Sequence, residues 1–279
     1  MSGGTEVRFW QPAPQMATEL VGAYLAASTG VPHVHEEWQF GVLETPARLT
    51  IGAYRRHGAG LDDVTIVRPY EVHSEDGCGG EGPIWRVLYV APSIISRVHG
   101  SLNPRVWGPV VTDPAAAAEL RRLLRLSGDG AIPGSEFLSG LMHWLEQFLL
   151  RHAGHVVAER RAPAVERARA YLQDRPTESV SMTQIGATSG VSLSYLVRSF
   201  SRSVGLPPKS YHAQVRLARA RRLLAEGKSA TWVAYEGGFA DQSHLSRRFK
   251  ECHGITPGVF QAQYCSQGNR VEALAGTAA

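Results

Sequence analysis

The 279-residue chain has only three cysteines, Cys78, Cys252 and Cys265. That is too few for a disulfide framework and fits a reducing compartment. No apolar run approaches the roughly 18 residues that a membrane-spanning helix needs. The opening MSGGTEVRFWQPAP lacks the apolar core of a secretory signal, so a cytoplasmic protein with no membrane contact is expected. Nothing in the composition is extreme. With 43% hydrophobic and 19% charged residues the chain reads as globular, and its length suffices for two domains with separate cores.

Charge is unevenly placed. Residues 160–265 carry 16 Lys+Arg against 7 Asp+Glu, a net of +9, within a chain whose total is +4. The remainder, with 13 against 18, is therefore −5. A basic block beside a mildly acidic one favours a nucleic-acid module joined to a module of another kind.

The two blocks also differ in pattern. TPARLTIGAY, LDDVTIV and PIWRVLYV read as strands, separated by turn clusters such as HGAGLDD. In the last of them Trp85, Val87 and Tyr89 share one face and Arg86, Leu88 and Val90 the other. Short strands of this kind suggest an antiparallel sandwich or barrel. Asp113-Pro114 then opens a helix running to Ser127-Gly128. A second helix starts near Ser135, with an apolar stripe of Leu138, Leu141, Met142, Leu145, Phe148 and Leu149. The stripe suits either packing on the sheet or a homodimer contact through helices 113–127 and 135–151. Residues 152–164 read as a polar connector with a helix-ending Pro163, and everything beyond is helical. The expected division is a sensor domain at 1–155, a linker at 156–164, an all-α domain at 165–266 and a tail at 267–279.

Inside the basic block one pattern occurs twice. Ile185 and Val191 flank a turn and are followed by Leu196 and Phe200. Val233 and Phe239 flank another and are followed by Leu245 and Phe249. Each copy has a small residue in its first helix (Gly186, Ala234), a glycine in the turn (Gly190, Gly238) and a polar helix cap (Ser192, Asp241). These are the parts of a helix-turn-helix whose second helix enters the major groove of double-stranded DNA. The outward positions are then Ser194, Val197, Arg198 and Ser201 in the first unit, and Gln242, Ser243, Ser246 and Arg247 in the second. Gln and Arg can read adenine and guanine bidentately, or grip phosphate. His244, Cys252 and His253 lie close in sequence but form no convincingly spaced set of metal ligands.

SLSYLVRSFSRSVGLPPKSYHAQVRLARARRLL and GGFADQSHLSRRFKECHGITPGVFQAQY strongly resemble the DNA-binding domain of the AraC/XylS transcription regulators of bacteria. The resemblance implies two helix-turn-helix units joined by one long helix, with Leu217, Ala220 and Leu224 facing the core and Arg216 on the same helix. It implies a nucleoid-associated regulator, an activator with RNA polymerase as partner, and no enzymatic activity or cofactor. Leu245 departs from a usual Phe, Gly186 from a usual Ala and Ala230 from a usual Ile. Ser194 and Val197 are poor readers, so weaker base readout is expected from the first unit. A repair protein that accepts alkyl groups on cysteine would need a cysteine cluster in the N-terminal half, where Cys78 stands alone.

VPHVHEEWQFGV and TIVRPYEVHSED resemble more loosely the cupin-like sensor domain that often precedes this DNA-binding domain. The fold class expected is thus α+β, a cupin-like antiparallel β-barrel with two helices and then the all-α domain. A small-molecule effector in the barrel would meet Trp85 and Val87, with Trp10, Trp38, Tyr54 and His73 as further candidates. Phe9 and Trp10 sit on a leading arm that could close over the ligand or pack on the barrel. In metal-dependent cupins an H-x-H, a carboxylate and a distant His hold one ion. Here His33, His35 and His73 supply imidazoles, but Gln39 or Phe40 stands where the carboxylate belongs. A metal-dependent cupin enzyme fused to a DNA-binding domain is the alternative this leaves, and the expectation is that these histidines hydrogen-bond in strand ends or line an organic-ligand pocket.

Overall fold

The computed structural model describes residues 6–13, 16, 20–26, 30–53, 55–77, 83–100, 108–153 and 161–265. The expected tail at 267–279 and Tyr54 lie outside them.

Strands β1 (Glu6–Trp10), β2 (Leu20–Ala26), β3 (Trp38–Leu43), β6 (Asp63–Val67), β8 (Ile84–Val90) and β9 (Val110–Thr112) form an antiparallel sheet, in the order β1-β2-β8-β3-β6-β9. Strands β4 (Ala47–Ile51), β5 (Arg55–Ala59) and β7 (His73–Gly77) form a second, in the order β5-β4-β7. Alternation along each strand divides the large sheet into two faces. Val21, Ala23, Trp85, Val87 and Tyr89 turn inward to meet Leu49 and Ile51 of the small sheet. Trp38, Phe40, Val42, Val64, Ile66, Leu88 and Val90 turn outward to a helical layer.

That layer is α1 (Pro92–His99), α2 (Pro114–Gly128) and α3 (Gly134–His152). Asp113 caps α2, its Oδ1 accepting from the Ala116 amide at 3.0 Å. The α3 stripe is consumed within the chain, because Leu141, Leu145, Phe148 and Leu149 are all buried, the first three of them against the sheet and α2. What α3 leaves outward is polar (His143, Glu146, Gln147, Arg151) apart from Leu150, which is 71% exposed. Sheet packing therefore accounts for the stripe.

The leading arm is an edge strand rather than a flap. Its free edge is closed by a side chain: Gln263 accepts from the Phe9 amide at 3.0 Å and donates to the Val7 carbonyl at 3.2 Å. Such satisfaction removes a template for unwanted strand pairing.

Helices α4 (Pro163–Gln173), α5 (Met182–Ser189), α6 (Leu193–Val204), α7 (Pro208–Ala225), α8 (Ala230–Glu236), α9 (Gln242–His253) and α10 (Pro257–Cys265) follow. Pro163 starts α4 instead of ending a helix, since its missing N–H costs nothing in a first turn. Helices α7 to α10 do not form a separate body. Leu217, Ala220, Leu224, Phe249, Phe260 and Tyr264 share one hydrophobic cluster with the inner faces of both sheets.

Candidate nucleic-acid interface and sensor core

Both helix-turn-helix units form as their sequences require. Ile185, Leu196 and Phe200 are buried in the first, and Val233, Leu245 and Phe249 in the second. Gly190 and Gly238 adopt positive φ, 67° and 70°. A Cβ on Gly238 would also stand 2.6 Å from the Thr177 carbonyl oxygen, so both backbone angle and space demand glycine. Gly186 is different: a Cβ there would meet only Leu193 Cδ1, at 4.0 Å, an ordinary contact. Its smallness is not what allows the helices to cross. Ser192 and Asp241 cap α6 and α9, accepting from the Tyr195 and His244 amides.

On α6, Ser194 and Arg198 are exposed and Val197 and Ser201 half-buried; on α9, Gln242, Ser243 and Arg247 are exposed and Ser246 half-buried. Gln242 is partly engaged, its Oε1 accepting from Thr231 Oγ1 of α8 at 2.8 Å. The same outward region holds side chains that sequence reasoning passed over: Tyr195, Arg202, Lys250 and, at 83% exposure, Tyr235.

Much of the basic block is structural. Arg216 donates to the carbonyls of Pro176, Glu178 and Gly238, tying α7 to the loop after α4 and to the turn of the second unit. Arg161 and Arg169 bind Glu166, and Arg248 binds Glu251. Arg222 pairs with Glu36 at 2.9 Å. The net +9 therefore overstates the charge offered outward.

Arg221 was not singled out from the sequence, yet it is the most consequential of these. It is 2% exposed, donates from Nη2 to Glu37 Oε2 at 2.5 Å, and lies 4.2 Å from the centre of the Tyr89 ring. Glu37 immediately precedes β3 and Tyr89 lies on β8, so α7 inserts a cation into the interior of the β-domain. An arginine five residues after Arg216 in a basic helix gives no sequence sign of burial. Beside it a cavity lined by Val21, Glu37 and Phe260 measures about 10 Å³, room for about one water.

The other polar group in the sensor core is imidazole. His33 and His73 pair through a β-bridge, with backbone hydrogen bonds of 2.9 and 3.0 Å. Every one of the three rings is anchored at Nδ1, which donates to a carbonyl: Val31 for His33, Glu37 for His35 and Glu71 for His73. The Nε2 atoms of His35 and His73 are buried without a hydrogen-bond partner among the described residues. Burial, reinforced by His33, pushes His73 down to about 4, and burial with His73 and Arg221 nearby holds His35 well below its ordinary value. Both rings are neutral at pH 7. Glu75 Oε1 lies 3.6 Å from His73 Nε2 and accepts from Gln39 Nε2 at 3.1 Å. The carboxylate sought at Gln39 or Phe40 thus stands on β7, two residues beyond His73 on the same face. An i, i+2 reading of HSE in that strand was the signal available.

The remaining sequence candidates separate. Trp85 and Val87 face inward, both buried in the shared cluster. Trp10 and Trp38 do not: they lie on the opposite face, against the helical layer. Trp10 Nε1 donates to Ser127 Oγ at 3.1 Å, and Trp38 stacks beside Phe40. Strand alternation puts the even-numbered residues of β3 outward, which excludes Trp38 from an internal ligand site. In α9 the three candidate ligands have other roles. His244 packs on Phe239, His253 on Phe249, and the Cys252 thiol lies 3.9 Å from Gln214 Oε1.

Residues 185–263 match the family model of a helix-turn-helix domain. The chain is 27% identical over 223 residues to YbfI, an HTH-type transcriptional regulator of Bacillus subtilis (strain 168), covering 76% of this chain and 80% of that one. It is 37% identical over 89 residues to the HTH-type transcriptional activator RhaS of Escherichia fergusonii, where the match covers 32% of each chain. Among solved structures, wild-type ToxT from Vibrio cholerae strain SCE256 with unsaturated fatty acid bound superposes with a TM-score of 0.58 at 11% identity, over 95% of this chain and 97% of that one. That likeness extends to the whole architecture, β-rich domain and helical domain together.

Proposed function

We propose a mode of action for a chain that is a DNA-binding transcription regulator of the AraC type: its β-domain senses an effector and passes the change to both helix-turn-helix units through α7. The observation that carries this reading is the buried Arg221–Glu37 contact, which fastens the joining helix to the sensor core. A ligand that rearranges Glu37 or its neighbours changes the position of α7, and an effector acts only through such a difference between states. Activation by recruiting RNA polymerase is the proposed output, in keeping with the activator RhaS among its relatives. Cytoplasmic location follows from that role.

Sequence readout is assigned chiefly to α9, through Gln242, Ser246 and Arg247, with Arg198 on α6 and the exposed Lys250 and Arg202 holding phosphates. Selection of bound duplexes from a random pool, followed by titration of the selected site, tests this. Arg247→Ala should weaken the selected site by about 1–3 kcal/mol and relax preference at one base pair. An equal loss on random DNA would assign Arg247 to phosphate instead. Failure to enrich any sequence would overturn the DNA reading itself.

A further inference from the structure

We propose that the sensor core binds a divalent transition-metal ion through His33, His73 and Glu75, with His35 as an adjacent fourth donor, and that this ion is the effector. The second half of the statement rests on the reading of the β-domain as a sensor; the first half does not.

Four features of the site support it. One donor atom from each of His33, His73 and Glu75 falls within 4.8 Å of the others, and all three residues are buried. Small rotations about side-chain bonds bring such a group to the 2.0–2.2 Å distances of nitrogen and carboxylate ligation. The Nδ1–H of every ring is held by a backbone carbonyl. This outer-shell arrangement fixes the tautomer that leaves Nε2 as the ligating atom. At His35 and His73 that atom is buried with no hydrogen bond among the described residues, an uncommon cost in a core unless something else occupies it. Finally, the backbone is rigid where it matters, since His33 and His73 sit opposite each other in the β-bridge.

The donor set defines the ion. Imidazole nitrogens with one carboxylate suit Zn²⁺, Ni²⁺, Co²⁺ or Fe²⁺, and the set contains no thiolate that would select Cu⁺. The link to α7 is short. His35 Nδ1 donates to the Glu37 carbonyl at 2.6 Å, and the Glu37 carboxylate holds Arg221. The His35 ring also lies edge-on to Tyr89, 5.1 Å between centres, and Tyr89 carries Arg221 on its face. Drawing His35 toward an ion therefore moves both partners of Arg221.

The test uses the full chain stripped with EDTA and titrated with Co²⁺, whose visible d–d absorption reports coordination by nitrogen and oxygen. The expected result is one Co²⁺ per chain, displaced by Zn²⁺, with affinity lowered on the order of a hundredfold or more in His73→Ala and Glu75→Gln. Binding well below one per chain, or binding equally strong in both variants, would overturn the site. Should either variant fail to fold, wild-type protein labelled with ¹⁵N-histidine decides: Zn²⁺ must shift three Nε2 resonances, and unchanged spectra overturn the site. For the effector role, affinity for the selected duplex is compared with Zn²⁺ and with EDTA. A change of about tenfold or more is expected, and equal affinities overturn that role while leaving metal and DNA binding intact.

Discussion

Removing one partner of the Arg221–Glu37 pair should be among the most damaging single changes available in this chain. At 2.5 Å and an effective dielectric of about 20, the attraction between the charges is roughly 7 kcal/mol, much of it offset by the cost of taking both from water. Glu37→Leu leaves a guanidinium that is 2% exposed, with the Tyr89 face beside it and no hydrogen-bonded carboxylate. A buried charge so orphaned costs about 3–5 kcal/mol. Arg221→Met orphans Glu37 at a similar cost. The double variant buries no charge, and its stability should return to within about 1–2 kcal/mol of wild type, so the two losses are strongly non-additive. Urea unfolding followed by tryptophan fluorescence measures all four proteins. If the pair behaved as a solvated surface contact, each single change would cost about 1 kcal/mol or less and the two would add. That outcome would refute both the burial of the pair and its role in fastening α7.

Further expectations concern the backbone, the charge and the thiol. Gly238→Ala should destabilise by about 2 kcal/mol or more, from its positive φ and the clash with Thr177, whereas Gly186→Ala should stabilise by about 0.5–1 kcal/mol; equal effects in thermal unfolding would contradict the geometry of the two units. DNA affinity should fall with salt with a slope set by a handful of phosphate contacts rather than by the full basic count, since each contact adds about 0.9 to the slope. A slope above about ten would mean that the internally bonded arginines are free for DNA. Burial pushes the Cys252 thiol up to about 12, so its alkylation in native protein at pH 8 should run roughly a thousandfold slower than in urea. Comparable rates at that residue by mass spectrometry would show that α9 does not bury it.

The helical half was legible because its signals are local. Capping by Ser192 and Asp241, the turn glycines 190 and 238, and the i, i+4 anchors Leu196/Phe200 and Leu245/Phe249 each act within a few residues, and the structure has all of them in place. The β-domain was legible through runs of β-branched and aromatic residues, as in β4, β6 and β8, of which only β4 alternates along its whole length between buried and more exposed positions. All six residues of β3 are buried, so WQFGVL shows no alternation to read. The pairing of Glu37 with Arg221 spans 184 positions and no local pattern announces it. Glu75 was missed for a different reason: a carboxylate was sought shortly after the H-x-H, whereas β7 supplies it two residues beyond His73, within reach of a local reading.

The division into a sensor and a DNA-binding module holds for the sequence more than for the core. One cluster contains Trp85, Val87 and Leu49 together with Leu217, Leu224 and Phe249, so the inner faces of the two sheets are completed by α7 and α9. Helix α7 faces two ways. At 3.6 residues per turn, Arg216 and Arg221 point about 140° apart around its axis. The first grips the loop after α4 and the turn at Gly238, and the second reaches Glu37 and Tyr89. A packed interior has few intermediate arrangements, so a change at Glu37 cannot be absorbed locally by a side chain with 2% exposure. It must move α7, and α7 cannot move without carrying the turn of the second unit through Arg216. On the proposed coupling, a shift of α7 reaches α9 through Arg216 and the turn at Gly238, and reaches α6 directly, through the packing of Tyr211 and Val215 against Phe200.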